Sequence, residues 1–225
     1  MFGVIDTQDR QVTGPTIEPI DLEEVKKMRR FSSTSLDTLF DMWIGAARQD
    51  FETQTGLQLL TATREYALDA VPYGDRIELP RPPLRSIVSI VSDDGNGAEQ
   101  TLDESNYYML PRRSESDEFE TFPTPGYVAL VSGASWPTVA TQRQSLRIRY
   151  TCGFGDAPGA VPELIAYALH LFVGSAHKFN EHMQDGKSIQ ELPYGVQHIM
   201  MTAKWNARRV LVPRYADWAV SAWQG

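Results

Sequence analysis

Between Leu146 and Phe179 the apolar residues change from every second position to helical spacing, with a cluster of backbone breakers between the two patterns. Leu146, Ile148 and Tyr150 alternate with Arg147 and Arg149, the period of a half-buried strand. Gly153, Gly155, Pro158 and Gly159 interrupt it. Val161-Pro162-Glu163 then restarts the chain as a helix, because a proline in the first turn loses no hydrogen bond and an acid there meets the positive end of the helix dipole. Ile165, Ala168, Leu169, Phe172, Ala176 and Phe179 continue at helical spacing. A strand joined by a stiff turn to a long amphipathic helix commits the chain to a fold with a sheet and a helical layer. This stretch predicts the joint between them.

The reverse switch occurs near Gly56. Asp21, three residues before Glu24, predicts the cap of a short helix carrying Leu22, Val25 and Met28. Ser35 predicts the cap of a second helix with a stripe of Leu36, Leu39, Phe40, Trp43, Ile44, Ala47 and Phe51, and Gly56 a left-handed end to it. From Leu57 to Tyr150 the period is two: Leu60, Ala62, Tyr66 and Leu68, then Ile77 and Leu79, Ile87 to Val91, Tyr107 to Leu110, and Tyr127 to Val131. Pro80, Pro82 and Pro83 mark a rigid crossing between strands, and Asp93 to Gly97 a turn. The charged run from Arg112 to Glu120 predicts a mobile loop. After a break at Asp185-Gly186, Val196, Ile199, Met200 and Ala203 give a fourth helix one apolar face. The reading is an α+β fold: a small bundle of about four helices (20–56 and 160–209) with a β-rich insertion (57–159) between the second and third helices. An extended arm (1–19) precedes it and a docking tail (210–225) follows.

Residue chemistry excludes more than it suggests. The net charge of −8 opposes tight binding to nucleic-acid phosphates, which draws its affinity from counterions released by Lys and Arg contacts. A single cysteine, Cys152, rules out an internal disulfide framework or a multi-cysteine zinc site, and it reads as a small buried strand residue. The N-terminus lacks the basic start and apolar run of a secretion signal, and no stretch has the apolar length of a membrane span, so the expectation is a soluble protein made in a reducing compartment. Gly153-Phe154-Gly155 lacks the lysine and the glycine spacing of a phosphate loop, Pro158 standing at the third glycine's place. His170, His177, His182 and His198 come without a metal-binding motif and read as surface or interface residues. No nucleophile elbow surrounds Ser132 or Ser135, and the carboxylates Glu115, Asp117, Glu118 and Glu120 form a solvated run. The sequence offers no catalytic, cofactor-binding or metal-ligating set, and the expectation is a protein that is not an enzyme. Near the C-terminus Lys204, Arg208, Arg209 and Arg214 interleave with Trp205, Tyr215, Trp218 and Trp223. Aromatics and arginine dominate interface hot spots, so these residues are the candidate partner-binding set, with packing back on the chain's own bundle as the alternative.

The succession of segments resembles the head–tail connector (adaptor) proteins of long-tailed bacteriophages. Four stretches carry the likeness. One is L-E-E-V-K-K-M from Leu22 with A-A-R-Q-D-F-E-T-Q-T-G ending at Gly56, and another is R-I-E-L-P-R-P-P-L-R-S-I-V-S-I from Arg76. The others are S-G-A-S-W-P from Ser132 with the strand–turn–helix after it, and E-L-P-Y-G-V-Q-H-I from Glu191. The charged loop around Arg112 to Glu120 and the aromatic tail depart from the pattern. The resemblance implies a virion structural protein without catalytic residues: a ring homo-oligomer, a dodecamer, in the virion neck beneath the portal protein. Such a ring meets a tail-side stopper or tail-completion protein, touches no membrane, and continues the channel through which DNA passes without sequence-specific binding. It implies manufacture in the host bacterial cytoplasm. A different expectation, drawn from the basic tail, is a DNA-binding accessory factor of genome packaging.

Overall fold

The alternating middle of the chain forms antiparallel sheets and the flanking helical stripes form helices. A computed structural model describes residues 7–71, 73–94, 98–112, 121–139, 143–184 and 194–207, with 179–184 as backbone only. Among the described residues the architecture is α+β, with four helices and two antiparallel sheets. The chain order is β1 (Thr7–Thr13), α1 (Leu22–Arg29), α2 (Asp37–Thr55), β2 (Ala62–Leu68), β3 (Arg76–Leu79) and β4 (Leu84–Asp93). It continues with β5 (Glu99–Thr101), β6 (Tyr107–Leu110), β7 (Gly126–Leu130), β8 (Leu146–Cys152), α3 (Glu163–Gln184) and α4 (Tyr194–Ala207).

A five-stranded sheet runs β1-β2-β8-β4-β5, and a three-stranded sheet runs β3-β7-β6. In the larger sheet Leu68 and Ser92 flank Leu146, while Tyr66 and Ile90 flank Ile148, so the apolar alternation of β8 falls on one face. That face packs with Ile77, Leu79, Tyr107 and Val128 of the smaller sheet into one core. A second core gathers Phe40, Ile44, Ala47 and Phe51 of α2 with Ile165, Leu169 and Val173 of α3 and Val196 and Ala203 of α4. The connecting segments close it. Leu57, Leu59 and Leu60 run beside Phe154 and Val161, with Phe154 N–H donating to Leu59 O (3.1 Å) and Thr61 N–H to Gly155 O (3.0 Å).

The opposite face of the larger sheet carries ion pairs in register. Glu65 accepts from Arg10 Nη2 on one neighbouring strand (2.7 Å) and from Arg149 Nη2 on the other (2.9 Å). Burial works against the Glu65 charge, but the bonds from Arg149 and Arg10 outweigh it and hold the carboxyl below its ordinary value of 4.5. A carboxylate depressed by folding stabilises above the unfolded value and loses that contribution as pH falls through the folded one. Wild type is therefore expected to exceed Glu65→Gln by about 1 kcal/mol at neutral pH, a modest figure because Arg10 and Arg149 reach solvent. Urea unfolding from pH 7 downward should show that advantage vanishing below the ordinary glutamate value.

Asp21 caps α1 as expected, accepting from the N–H groups of Glu23 (2.8 Å) and Glu24 (3.3 Å), and Gly56 ends α2 at φ 80°. Other details differ from the sequence reading. Ser35 does not cap α2: Leu36 stands at that position without a side-chain bond, and Ser35 N–H turns to Ser33 Oγ (3.2 Å). Asp37 supplies the acid there and pairs with Lys26 of α1 (2.9 Å). Met28 is exposed, since only Val25 of α1 is deeply buried among its apolar residues. In α3 the deepest line is Ile165, Ala168, Leu169 and Val173, and Phe172 and Ala176 are half-buried; the side chain of Phe179 is outside the described set. Residues 7–13, read as part of an extended arm, pair with β2 as an edge strand. Strand β5 was not expected; its three polar residues carry no alternation. The turn glycines at 95 and 97, the charged run 113–120 and the break at 185–186 lie outside the described residues.

Candidate partner interface

Helix α4 has two apolar faces, and only one is spent on the fold. Val196, Ile199, Met200 and Ala203 are buried with α2 and α3, the stripe that spacing predicts, and Ala207 joins them. Tyr194, His198, Met201 and Trp205 recur at intervals of four, three and four, which places them along one line of the other side. Tyr194 is 81% exposed, Met201 68% and Trp205 77%, with Lys204 exposed beside the tryptophan. Covering one such side chain is worth about 1.5–3 kcal/mol. An aromatic and methionine line left in water by a helix that is otherwise well seated has the character of an interaction surface.

Of the residues assigned to partner binding from the sequence, Lys204 and Trp205 lie on this side of α4. Arg208, Arg209, Arg214, Tyr215, Trp218 and Trp223 lie outside the described residues. Tyr194, His198 and Met201 were missed. Their spacing was legible, but Met201 directly follows a core methionine, and adjacent apolar residues hide a helix with two faces.

Several positions considered for chemistry serve packing. His170 is half-buried between α3 and α1: Nε2 stands 3.9 Å from Glu24 Oε2, Nδ1 is buried without a hydrogen-bond partner, and burial lowers its pKa. His177 stacks on Phe40 (centroids 5.3 Å apart) with Trp43 at its edge (5.9 Å), so it belongs to an aromatic cluster at the rim of the helical core. His198 belongs to the exposed stripe, and the side chain of His182 is outside the described set. Among the described residues no three His, Cys, Asp or Glu side chains gather where they would hold a metal. Cys152 is buried with its Sγ 3.7 Å from Ala62 O, and burial pushes its thiol up to about 12. The glycine turn is committed internally too. Gly153 N–H donates to Pro83 O (2.9 Å) and Phe154 N–H to Leu59 O, so these groups do not form a phosphate cradle. Among the described residues no helix is long and apolar enough to cross a membrane.

No protein-family model matches the sequence, and no curated protein matches it. Solved structures do match in fold. One is a chain in a structure described as "Neck of empty GTA particle computed with C6 symmetry", with TM-score 0.70 and 21% identity over 92% of this chain and 99% of that one. The chain shares that fold. A second match, in "Virion of native gene transfer agent (GTA) particle", has TM-score 0.69 and 20% identity over 91% of this chain and 98% of that one. A third, in "Neck of native GTA particle computed with C12 symmetry", has TM-score 0.68 and 21% identity over 92% and 99%. The likeness covers nearly the whole of each neighbour and 91–92% of this chain.

Proposed function

We propose that this protein is a structural component of a virion neck, without enzymatic activity, that assembles as a ring beneath the portal, joins head to tail and continues the DNA channel. The observation that carries the reading is the fold match along almost the full length of chains in two particle-neck structures, one with C6 and one with C12 symmetry. The resemblance of the sequence segments to connector proteins points the same way. In this reading the copies form a dodecamer, the β region 57–159 is an insertion in the bundle, and the tail 210–225 with Arg208, Arg209, Arg214, Tyr215, Trp218 and Trp223 docks on the portal. The other end meets a tail-completion protein. The acidic balance of −8 suits a channel that lets DNA slide, because like charge repels the phosphates.

Electron microscopy of purified particles is expected to place the protein's density as a ring at the neck, and particles made without the gene to be filled heads lacking tails. Normal tailed particles formed without it would overturn the reading. DNA binding whose logarithm falls steeply with log salt would favour the packaging-factor alternative, since that slope counts phosphate contacts.

A further inference from the structure

A second surface, unpartnered among the described residues, is opposite in charge to the exposed side of α4. A groove of about 310 Å³ lies between the segment before α1 and the first half of α2. Ile17, Leu22, Ile44 and Pro158 give it apolar walls, and Asp21 and Asp41 supply negative charge. Asp41 is exposed, and its carboxylate takes part in no hydrogen bond or ion pair among the described residues. Met42, the next residue of α2, is 58% exposed and stands outside the groove's lining. No residue of α4 lines the groove. Because α4 is seated in the core by five buried residues, its other side cannot turn into the groove of the same chain.

The two surfaces carry opposite charge, and both are apolar. One is a projecting line of Tyr194, Met201 and Trp205 with Lys204 beside it; the other is a recess with apolar walls and aspartates. We infer that the Met201–Trp205 side of α4 in one copy seats in the Ile17–Asp41 groove of a second copy, with Lys204 meeting Asp41. Two different patches of one chain that fit each other make a heterologous contact, which repeats from copy to copy and closes into a ring when the rotation allows. The inference rests on the ring reading above and names the contact that builds it. Opposite charges at its edge select the register, and the aromatic line supplies the apolar area.

The test mixes two full-length variants, Met42→Cys and Met201→Cys, at high concentration with a short bismaleimide. Cys152 is silent in this assay because it is fully buried. The cross-linked pair is expected at about tenfold the yield of a control pairing Met201→Cys with Tyr73→Cys, because a seated contact raises the effective concentration of its own thiols only. Asp41→Lys added to the first variant should return the yield to the control, and Lys204→Glu added to the second should restore it. A yield equal to the control, or an Asp41→Lys change without effect, overturns the inference. If native mass spectrometry still finds closed rings in that case, the contact is wrong and the neck reading stands. If neither rings nor cross-links form, both fall.

Discussion

Glu52→Ala is expected to cost about 3–5 kcal/mol of unfolding free energy, measured by urea unfolding followed through tryptophan fluorescence. Glu52 lies in the last turns of α2, and its carboxylate holds the end of the helix to the segment that leads into β2. Oε1 accepts from Leu59 N–H (2.9 Å) and from Gln58 Nε2 (3.0 Å), and Oε2 from Arg48 Nη1 (3.3 Å). Each partner leads further. Arg48 donates to Glu18 (2.7 Å), ahead of α1, and Gln58 Oε1 accepts from Arg64 of β2 (3.3 Å). Arg64 in turn makes two 2.8 Å bonds to Asp9 of β1. Arg81, between the two sheets, donates to the Glu52 carbonyl (2.7 Å). One buried acid therefore ties the helical core, the larger sheet and the N-terminal segment together. Alanine would leave a buried backbone N–H and a buried amide without acceptors, which is the expensive way to break a network.

Glu52→Gln is the informative control. It keeps an oxygen for Leu59 and Gln58, and Arg48 retains Glu18, so the expected loss is about 1 kcal/mol. Burial raises the Glu52 carboxyl above the ordinary value of 4.5 despite the bonds from Leu59 and Arg48. Folding thus favours its protonated form. The contribution is complete below the ordinary value and fades as pH rises through the folded one, opposite in sign to that of Glu65. The glutamine variant should lack this fade. A loss under about 1 kcal/mol in Glu52→Ala would mean that the two cores hold together by apolar contact alone.

None of this network was legible in the sequence, and the reason is physical. Glu52 stands in an α2 whose polar positions look alike, and Asp9, Arg64 and Arg81 are separated along the chain by sheet closure. Period carries information about which face is buried, so β8, the capped start of α1 and the core side of α4 could be read from residue spacing. Period carries none about which charges meet, because long side chains choose partners only after strands are in register. The candidate interface was legible in part for a similar reason. Trp205 and Lys204 stood out by residue type, whereas Tyr194 and Met201 needed the helix to be placed, with one side buried, before the other side could be recognised as bare. Ser35 failed as a cap because residue type alone cannot tell whether the cap falls at the serine or one residue later.

Gly153→Ala is expected to be the most damaging single methyl in the protein, with a loss of about 4 kcal/mol or more and a fall in Tm of about 10 °C. Two independent constraints meet at this residue. Its φ of 115° lies where side chains of L-residues are rarely tolerated, so alanine is strained even in empty space. The space is not empty. An added Cβ would overlap the Leu60 carbonyl and come within 2.7 Å of Thr61 N, both backbone atoms of the adjoining crossing. That crossing cannot yield, because Phe154 N–H to Leu59 O and Thr61 N–H to Gly155 O bond it to the turn on either side of the contact. Relief would require β2 and β8 to separate at the point where the chain returns from the sheets to α3. The same turn supplies its own comparison. Gly159 has no positive φ and nothing within 4 Å of the position of a Cβ, so Gly159→Ala is expected within about 0.5 kcal/mol of wild type, or slightly more stable through the less flexible unfolded chain. Thermal unfolding of the two variants side by side separates a turn built on close backbone approach from one that is merely rich in glycine. Equal tolerance of both substitutions would refute the close approach of Leu60 and, with it, the account of this turn as the rigid joint between the sheets and α3.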